Sequence, residues 1–213
     1  EKQEHYIQII NEEKRSIYGS NNKPLFEIDG GSINPIGDSL FVHTIAGDRS
    51  GVRNAQGEWL VEPNFDYVGR RAGVLNLLNN NQIGAYFLQD SILIDAEYSS
   101  YIEPYGSYYT TSQGAKEGLI DSLGEVVLTF QYNDLSYLSD TMVWVKTDSS
   151  WQIQQIVDDR VIQYGIRSFE PMLLQNERFF KVTTSTGYGI VDQQGRYLVS
   201  PSFSDIRSVS DGL

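Results

Sequence analysis

The chain has 213 residues, 40% of them hydrophobic, a formal net charge of −12 and no cysteine. That length fits one large domain or two small ones, and the lack of cysteine removes disulfides and thiolate metal sites. The acidic balance argues against nucleic acid, which needs clustered Lys and Arg, and against an anionic membrane surface; it is compatible with a basic protein partner or simply with solubility.

No apolar run approaches the ~18 residues of a membrane span, and Glu1-Lys2-Gln3-Glu4-His5 does not read as a signal peptide. Fourteen Tyr and abundant Val, Ile and Thr suit pleated strands. Nineteen Gly, with many Asn, Asp and Ser, supply turns.

In chain order, the first apolar stretch is Tyr6-Ile7-Gln8-Ile9-Ile10, which aligns with Met142-Val143-Trp144-Val145 much later. Ser16-Ile17-Tyr18, Pro24-Leu25-Phe26 and Ile33 form a degenerate copy of a pattern that is clear from Ser50 onward. There Gly51-Val52-Arg53-Asn54 leads to Gly57, Trp59-Leu60-Val61, Pro63, Phe65, Tyr67 and Val68. A weaker copy runs Ile83-Gly84-Ala85-Tyr86, Ile92-Leu93-Ile94, Tyr98 and Ile102. The pattern sharpens again at Gly118-Leu119-Ile120-Asp121, Gly124, Val126-Val127-Leu128, Tyr132, Asp134 and Leu135. It weakens at Trp151-Gln152-Ile153, Val161-Ile162 and Phe169, then returns at Tyr188-Gly189-Ile190-Val191-Asp192, Gly195, Tyr197-Leu198-Val199, Pro201, Phe203, Asp205 and Ile206. With the glycine position as marker, the copies stand at 17, 51, 84, 118, 152 and 189, at intervals of 34, 33, 34, 34 and 37 residues. Regular spacing of this kind is the signature of a repeat architecture.

Each copy reads as four short strands. Strand a is the Gly-apolar-apolar-Asp segment, and a turn ending in Gly leads to the β-branched strand b, often closed by Pro as at Pro63 and Pro201. Strand c is the Phe/Tyr-x-Asp/Tyr-apolar segment; strand d is apolar, at Leu40–Thr44, Val74–Leu78, Tyr108–Thr111, Met142–Lys146 and Phe179–Thr183. No capped stretch has apolar residues at helical spacing, so no long helix is expected. The expected fold is all-β, one repeat domain over residues 1–213. Its units cover about 15–44, 50–78, 83–111, 117–147, 151–184, and 188–213 plus 5–10. The chain begins with a strand d and ends where a strand d would start, which suggests a closed six-bladed β-propeller-like ring, the N-terminal strand completing the last blade. An open β-repeat solenoid is the alternative.

The order Gly-apolar-apolar-Asp-x-x-Gly-x-x-apolar-apolar-x-Pro-x-Phe/Tyr-x-Asp-Ile resembles the bacterial WG repeat, also called the KWG repeat. It does so well over 188–206 and 117–135, and closely over 50–68. The naming Trp-Gly pair is degraded to Tyr188-Gly189, Glu117-Gly118, Ile83-Gly84 and Ser50-Gly51, while Trp151 is followed by Gln152. The resemblance implies a propeller-forming interaction module, often exported, with no shared catalytic set; fold by itself does not name a function.

The residues offer little chemistry. The two histidines, His5 and His43, lie in strand-d segments without a surrounding motif, where a hydrolytic triad needs a His held between a carboxylate and a nucleophile. Metal ligands of the His/Cys kind are excluded by count, and no EF-hand, P-loop or dinucleotide fingerprint is present. Asp121 and Asp192 recur at one repeat position, as do Asp134 and Asp205, which points to turn duty. Phe26, Phe65, Tyr98, Tyr132, Phe169 and Phe203 likewise recur and are expected in the core between blades. The non-recurring residues are the candidates for binding: Trp59, the basic pair Arg70-Arg71, Tyr105, Tyr108, Tyr109, Trp144 and Trp151. The expected protein is a monomeric, cofactor-free, non-catalytic platform for a protein partner. Alternatives are a carbohydrate-binding module that stacks glycans on exposed Tyr and Trp, an acidic inhibitor or immunity-type binder of a basic secreted protein, and an enzyme with a carboxylate pair.

Overall fold

The computed structural model describes residues 6–11, 14–19, 21, 23–37, 39–45, 47–174 and 177–207. β1 (Ile7–Asn11), β2 (Lys14–Tyr18) and β3 (Pro24–Asp29) form a three-stranded sheet. Five four-stranded sheets follow. The first holds β4 (Ser32–Gly37), β5 (Leu40–Thr44), β6 (Ser50–Arg53) and β7 (Trp59–Phe65). The next holds β8 (Tyr67–Arg71), β9 (Val74–Asn79), β10 (Gln82–Phe87) and β11 (Ile92–Tyr98). Then come β12 (Glu103–Tyr105), β13 (Tyr108–Gln113), β14 (Lys116–Ile120) and β15 (Val126–Tyr132). The fifth sheet in chain order is β16 (Asp134–Ser139), β17 (Met142–Lys146), β18 (Trp151–Gln155) and β19 (Val161–Ile166). The last is β20 (Ser168–Leu174), β21 (Glu177–Thr183), β22 (Tyr188–Val191) and β23 (Tyr197–Phe203). Strands adjacent in sequence are adjacent in each sheet. No helix occurs among the described residues, so none is long and apolar enough to cross a membrane. The chain divides into two compact units, residues 1–103 with the first three sheets and residues 104–213 with the rest.

The sheets correct the phase of the sequence units. Each four-stranded sheet joins strands c and d of one repeat to strands a and b of the next: β4 and β5 precede Gly51, β6 carries it and β7 follows. At Asp66, Asn133 and Arg167 the chain leaves a sheet after b through a single residue, and the Asp66 amide bonds the Leu78 carbonyl of the next sheet at 2.8 Å. The N-terminal strand accordingly heads a sheet of d, a and b. Phe203 ends β23 and Ser204–Arg207 belong to no strand, so the pairing of 203–206 with Tyr6–Ile10 expected for a closed ring is not among the described pairings. His5 and the residues after Arg207 lie outside the described residues.

The repeated glycine has a steric cause. Ser50 pairs with Phe65 and Val52 with Val61, so Glu62, Pro63 and Asn64 together face Gly51 in a β-bulge. The same slip brackets Gly84 (Ile83–Tyr98, Ala85–Ile94), Gly118 (Glu117–Tyr132, Leu119–Leu128) and Gly189 (Tyr188–Phe203, Ile190–Val199). A Cβ on Gly51, Gly84, Gly118 or Gly189 would lie 2.4, 2.4, 2.6 or 2.7 Å from the carbonyl oxygen of Val61, Ile94, Leu128 or Val199. Pro63 and Pro201 fall inside these bulges, where a missing N–H removes no ladder bond. The register also shifts the marker of the first copy. Ile17 pairs with Phe26 as Val52 pairs with Val61, which puts Ser16, not Ile17, at the glycine position.

The a–b turn is built by one side chain. Asp121 Oδ1 accepts from the amides of Leu123 and Glu125, both at 2.9 Å, and Gly124 closes the turn with φ 83°. Asp192 does the same for Gln194 and Arg196, and Asn54 for Gln56 and Glu58. The turn duty expected of Asp121 and Asp192 is what the structure shows.

The core lies between successive sheets within each unit. In the first unit Leu40, Val52 and Val61 pack on Val68, Leu75, Leu77 and Tyr86, while Ile17 and Ile28 pack on Ile33 and Phe41. In the second, Leu119, Leu128 and Tyr132 pack on Val143, Val145 and Ile156, and Ile153 and Ile166 on Phe180, Val182 and Val191. Full burial of one such side chain contributes about 1.5–3 kcal/mol. Tyr98 and Tyr132 are buried as expected, but Phe203 is 53% exposed.

Candidate functional site

Arg53 and Trp59 face each other across the a–b hairpin of β6 and β7, and His43 lies on the neighbouring β5. The Arg53 Nε donates to His43 Nδ1 at 3.0 Å, and a terminal nitrogen donates to the Gly57 carbonyl. The guanidinium carbon sits 3.6 Å from the Trp59 ring centre, and the imidazole stacks on the same indole at 5.2 Å with an interplanar angle of 4°. Trp59 remains half-buried and His43 is 3% exposed. Since Nδ1 accepts from a permanent cation, the imidazole is neutral with its proton on Nε2. Burial is the main cause holding the His43 pKa below 6.5; Arg53 and, more weakly, Arg15 add to it, while the Gly30 backbone opposes it. Nε2 nevertheless makes no hydrogen bond of normal geometry.

Arg70 and Arg71 sit side by side on β8, and strand alternation sends them apart. Arg70 donates to the Ile36 carbonyl of β4 at 3.3 Å. Arg71 donates to Glu103 Oε1 at 2.9 Å, with its guanidinium carbon 4.0 Å from the Tyr101 ring centre. Arg70 thus reaches back to β4 while Arg71 pairs with Glu103, and the two do not form a single basic patch. The Arg71–Glu103 ion pair is half-exposed and contributes at most about 1 kcal/mol.

The remaining sequence candidates lie in the second unit and do not converge. Trp144 is fully buried, stacked on Phe169 at 4.1 Å and edge-on to Phe180 at 5.6 Å. Tyr105 is buried edge-on to Tyr137 at 5.5 Å, and burial pushes its phenol pKa up. Neither offers a ring face to a ligand: both fill the space between sheets, against the expectation for non-recurring aromatics. Tyr108 packs half-buried against that same core. Tyr109 is half-buried opposite Ile120. Trp151 is half-buried, edge-on to Phe169 at 5.0 Å with the Lys146 ammonium 5.5 Å from its ring centre.

His43, Arg53, Tyr101 and Asn76 were not singled out by the sequence. Arg53 had a legible signal, since it stands where Ile120 and Val191 stand in the clear copies. Asn76 is 1% exposed and pairs both ways with the Ile102 backbone, donating to its carbonyl at 3.1 Å and accepting from its amide at 2.7 Å. That is a structural bond, with no free polar atom for a ligand.

At the end of the sheets carrying the d–a turns, cations recur beside carboxylates. Lys14 meets Asp29 at 4.0 Å, Arg49 meets Asp66 at 2.7 Å and Lys116 meets Asp148 at 3.7 Å. Arg49 also donates to Asn79 of the next d–a turn. A hydrogen bond from Asn133, then Lys116, holds the Asp148 carboxyl below its usual pKa. A separate open cleft of about 340 Å³ in the second unit is lined by Glu177, Arg178, Phe179, Asp192, Gln193 and Gln194. Among the described residues no three His, Asp or Glu side chains converge as a metal site.

No curated protein matches the chain. Several solved structures match the chain at low identity and low TM-score. The computationally designed Ika8 protein is 11% identical with a TM-score of 0.35, over 90% of this chain and 72% of that one. The WD40 β-propeller domain of Doa1 is 12% identical with a TM-score of 0.33, over 78% of this chain and 66% of that one. Hsv2 of Kluyveromyces lactis is 9% identical with a TM-score of 0.37, over 97% of this chain and 80% of that one. TM-scores in this range leave the fold resting on the strand order described above. The model of the WG containing repeat matches residues 51–70, 118–151 and 188–213, the stretches in which Gly51, Gly118 and Gly189 face their bulges. Over these three stretches the chain is similar to the WG-containing repeat family.

Proposed function

We propose that the chain is a non-catalytic module that binds a protein partner through the first unit. The observation that carries this reading is the pair of ordered aromatic–cation groups at its surface: Trp59 under Arg53, and Tyr101 under Arg71. Trp, Tyr and Arg held in place lose little side-chain entropy on binding and dominate protein interfaces. The net charge of −12 favours a basic partner, the inhibitor-type version of the same reading. A carbohydrate-binding role has less support, because Trp144 is in the core and one face of Trp59 is already covered. The test is a comparative pull-down from the native host with the wild type and a Trp59→Ala/Arg71→Ala double variant. A protein held by the wild type and lost by the folded variant is expected; equal retention by both would contradict the assignment.

The finer form of the fold belongs to the same proposal: a six-bladed ring in which Asp205–Arg207 supply strand c beside β1. The repeat register supports it. Val68 faces Leu77, Leu135 faces Val145 and Phe169 faces Val182 in the complete sheets, and the corresponding pair is Ile206 with Ile9. The chain has no cysteine, so an Ile9→Cys/Ile206→Cys variant gives a clean test. Oxidation is expected to yield an intramolecular cross-link, and its absence would count against closure.

A further inference from the structure

We propose that His43 is a proton-operated latch between the three-stranded sheet and the sheet that follows it. His43 meets that junction at the link from β3 to β4 and is otherwise enclosed by its own sheet. Across β5 it lies opposite Ile33 of β4 and Gly51 of β6, and it stacks on Trp59 of β7. The link from β3 to β4 passes against it: Gly31 has φ 70°, and a Cβ there would lie 2.2 Å from the Thr44 carbonyl oxygen and 3.2 Å from His43 Nε2. Arg53 holds the Gly57 carbonyl, and Gly57 is so close to Phe26 of β3 that a Cβ would meet that side chain at 2.7 Å. The His43–Arg53 pair thus presses on the first sheet from two places.

Among the described residues the charged groups acting on His43 are Arg53 of β6 and Arg15 of β2, and both disfavour a second positive charge. Of the described groups the Gly30 backbone acts in the opposite sense, and Glu62 acts on Arg53. A proton added at Nδ1 uses up the lone pair that accepts the Arg53 Nε–H. Two N–H groups and two cations then face each other over one indole, in a site from which water is largely excluded. The guanidinium or the imidazole has to move, and movement of Arg53 releases Gly57 and its turn from Phe26. Because the folded pKa lies below the unfolded value of 6.5, the stability given by the neutral latch is whole above about 6.5 and is lost as pH falls towards the folded midpoint. Both histidines of the chain lie in residues 1–103, so the second unit is an internal reference.

Imidazole NMR resolves the question directly, since only His5 and His43 contribute signals. His43 is expected to titrate with a midpoint below 6.5. Protection from hydrogen exchange at Gly30–Gly31 and Asn54–Trp59 is expected to fall several-fold on mild acidification, with residues 104–207 unchanged. His43→Asn, whose Oδ1 stands where Nδ1 stands and accepts from Arg53 at any pH, is expected to remove that acid response. A His43 midpoint at or above 6.5 would overturn the latch, as would an unchanged acid response in His43→Asn. If that variant fails to fold, the wild-type titration decides alone.

Discussion

Repeats with and without the strand-a glycine coexist in this chain, and their difference shows what the recurring pattern encodes. In four copies a glycine on strand a faces a bulge with two extra residues on strand b. In the fifth copy Trp151 pairs with Ile166 and Ile153 with Gln163, so the bulge holds one extra residue and Gln152 is accommodated. The glycine has moved into the bulge itself, as Gly165 with φ 70°. In the first copy Arg15, Ser16 and Ile17 pair with Ile28, Glu27 and Phe26 without a slip, and Ser16 fits an ordinary ladder. The side chain on strand a thus tracks the size of the bulge opposite it. The glycine records a backbone approach and carries no chemistry.

Substitutions can break or sharpen this contrast. The largest effect is expected from Gly84→Val, which drives a branched side chain into the Ile94 carbonyl and the backbone beside it. Overpacking of this kind costs about 1–3 kcal/mol and more where backbone cannot give, so a large drop in the denaturation midpoint or loss of folding is the expected result. Gly165→Ala comes next: nothing lies within 4 Å of the new Cβ, leaving only the left-handed backbone conformation, at about 1–2 kcal/mol in chemical denaturation. Asp121→Ala removes two bonds to the a–b turn and is expected to cost about 1–2 kcal/mol, with the bulge at Gly118 intact by NMR pairing.

The contrast also explains what could be read from sequence. Strand d was legible almost to the residue at Leu40–Thr44 and Met142–Lys146, because it is an apolar run bounded by turns. The Asp-x-x-Gly turns were legible because one carboxylate oxygen and one positive φ make them. The grouping of strands into sheets was not. A cyclic order a-b-c-d has no inherent phase, and the break between b and c is a one-residue corner at Asp66 rather than a long loop. The candidate site was less legible still. Non-recurrence does not separate binding residues from core: Trp144 fills a local gap beside Phe169 and Phe180, and its apolar neighbours Val143 and Val145, both buried, are the available clue. His43 gained its setting from Arg53 and Trp59, ten and sixteen residues on, through pairing that only the fold supplies.

The most direct test of this account is the paired measurement of Gly118→Ala and Ser16→Ala by equilibrium chemical denaturation. Gly118→Ala puts a Cβ 2.6 Å from the Leu128 carbonyl oxygen and 2.7 Å from the Phe130 ring. It is expected to cost about 1–3 kcal/mol. Ser16→Ala removes only an exposed hydrogen bond to Glu27 and is expected to stay within about 0.5 kcal/mol of the wild type. Equal losses at the two positions, or a neutral Gly118→Ala, would contradict the claim that the repeat glycine exists to admit the bulge.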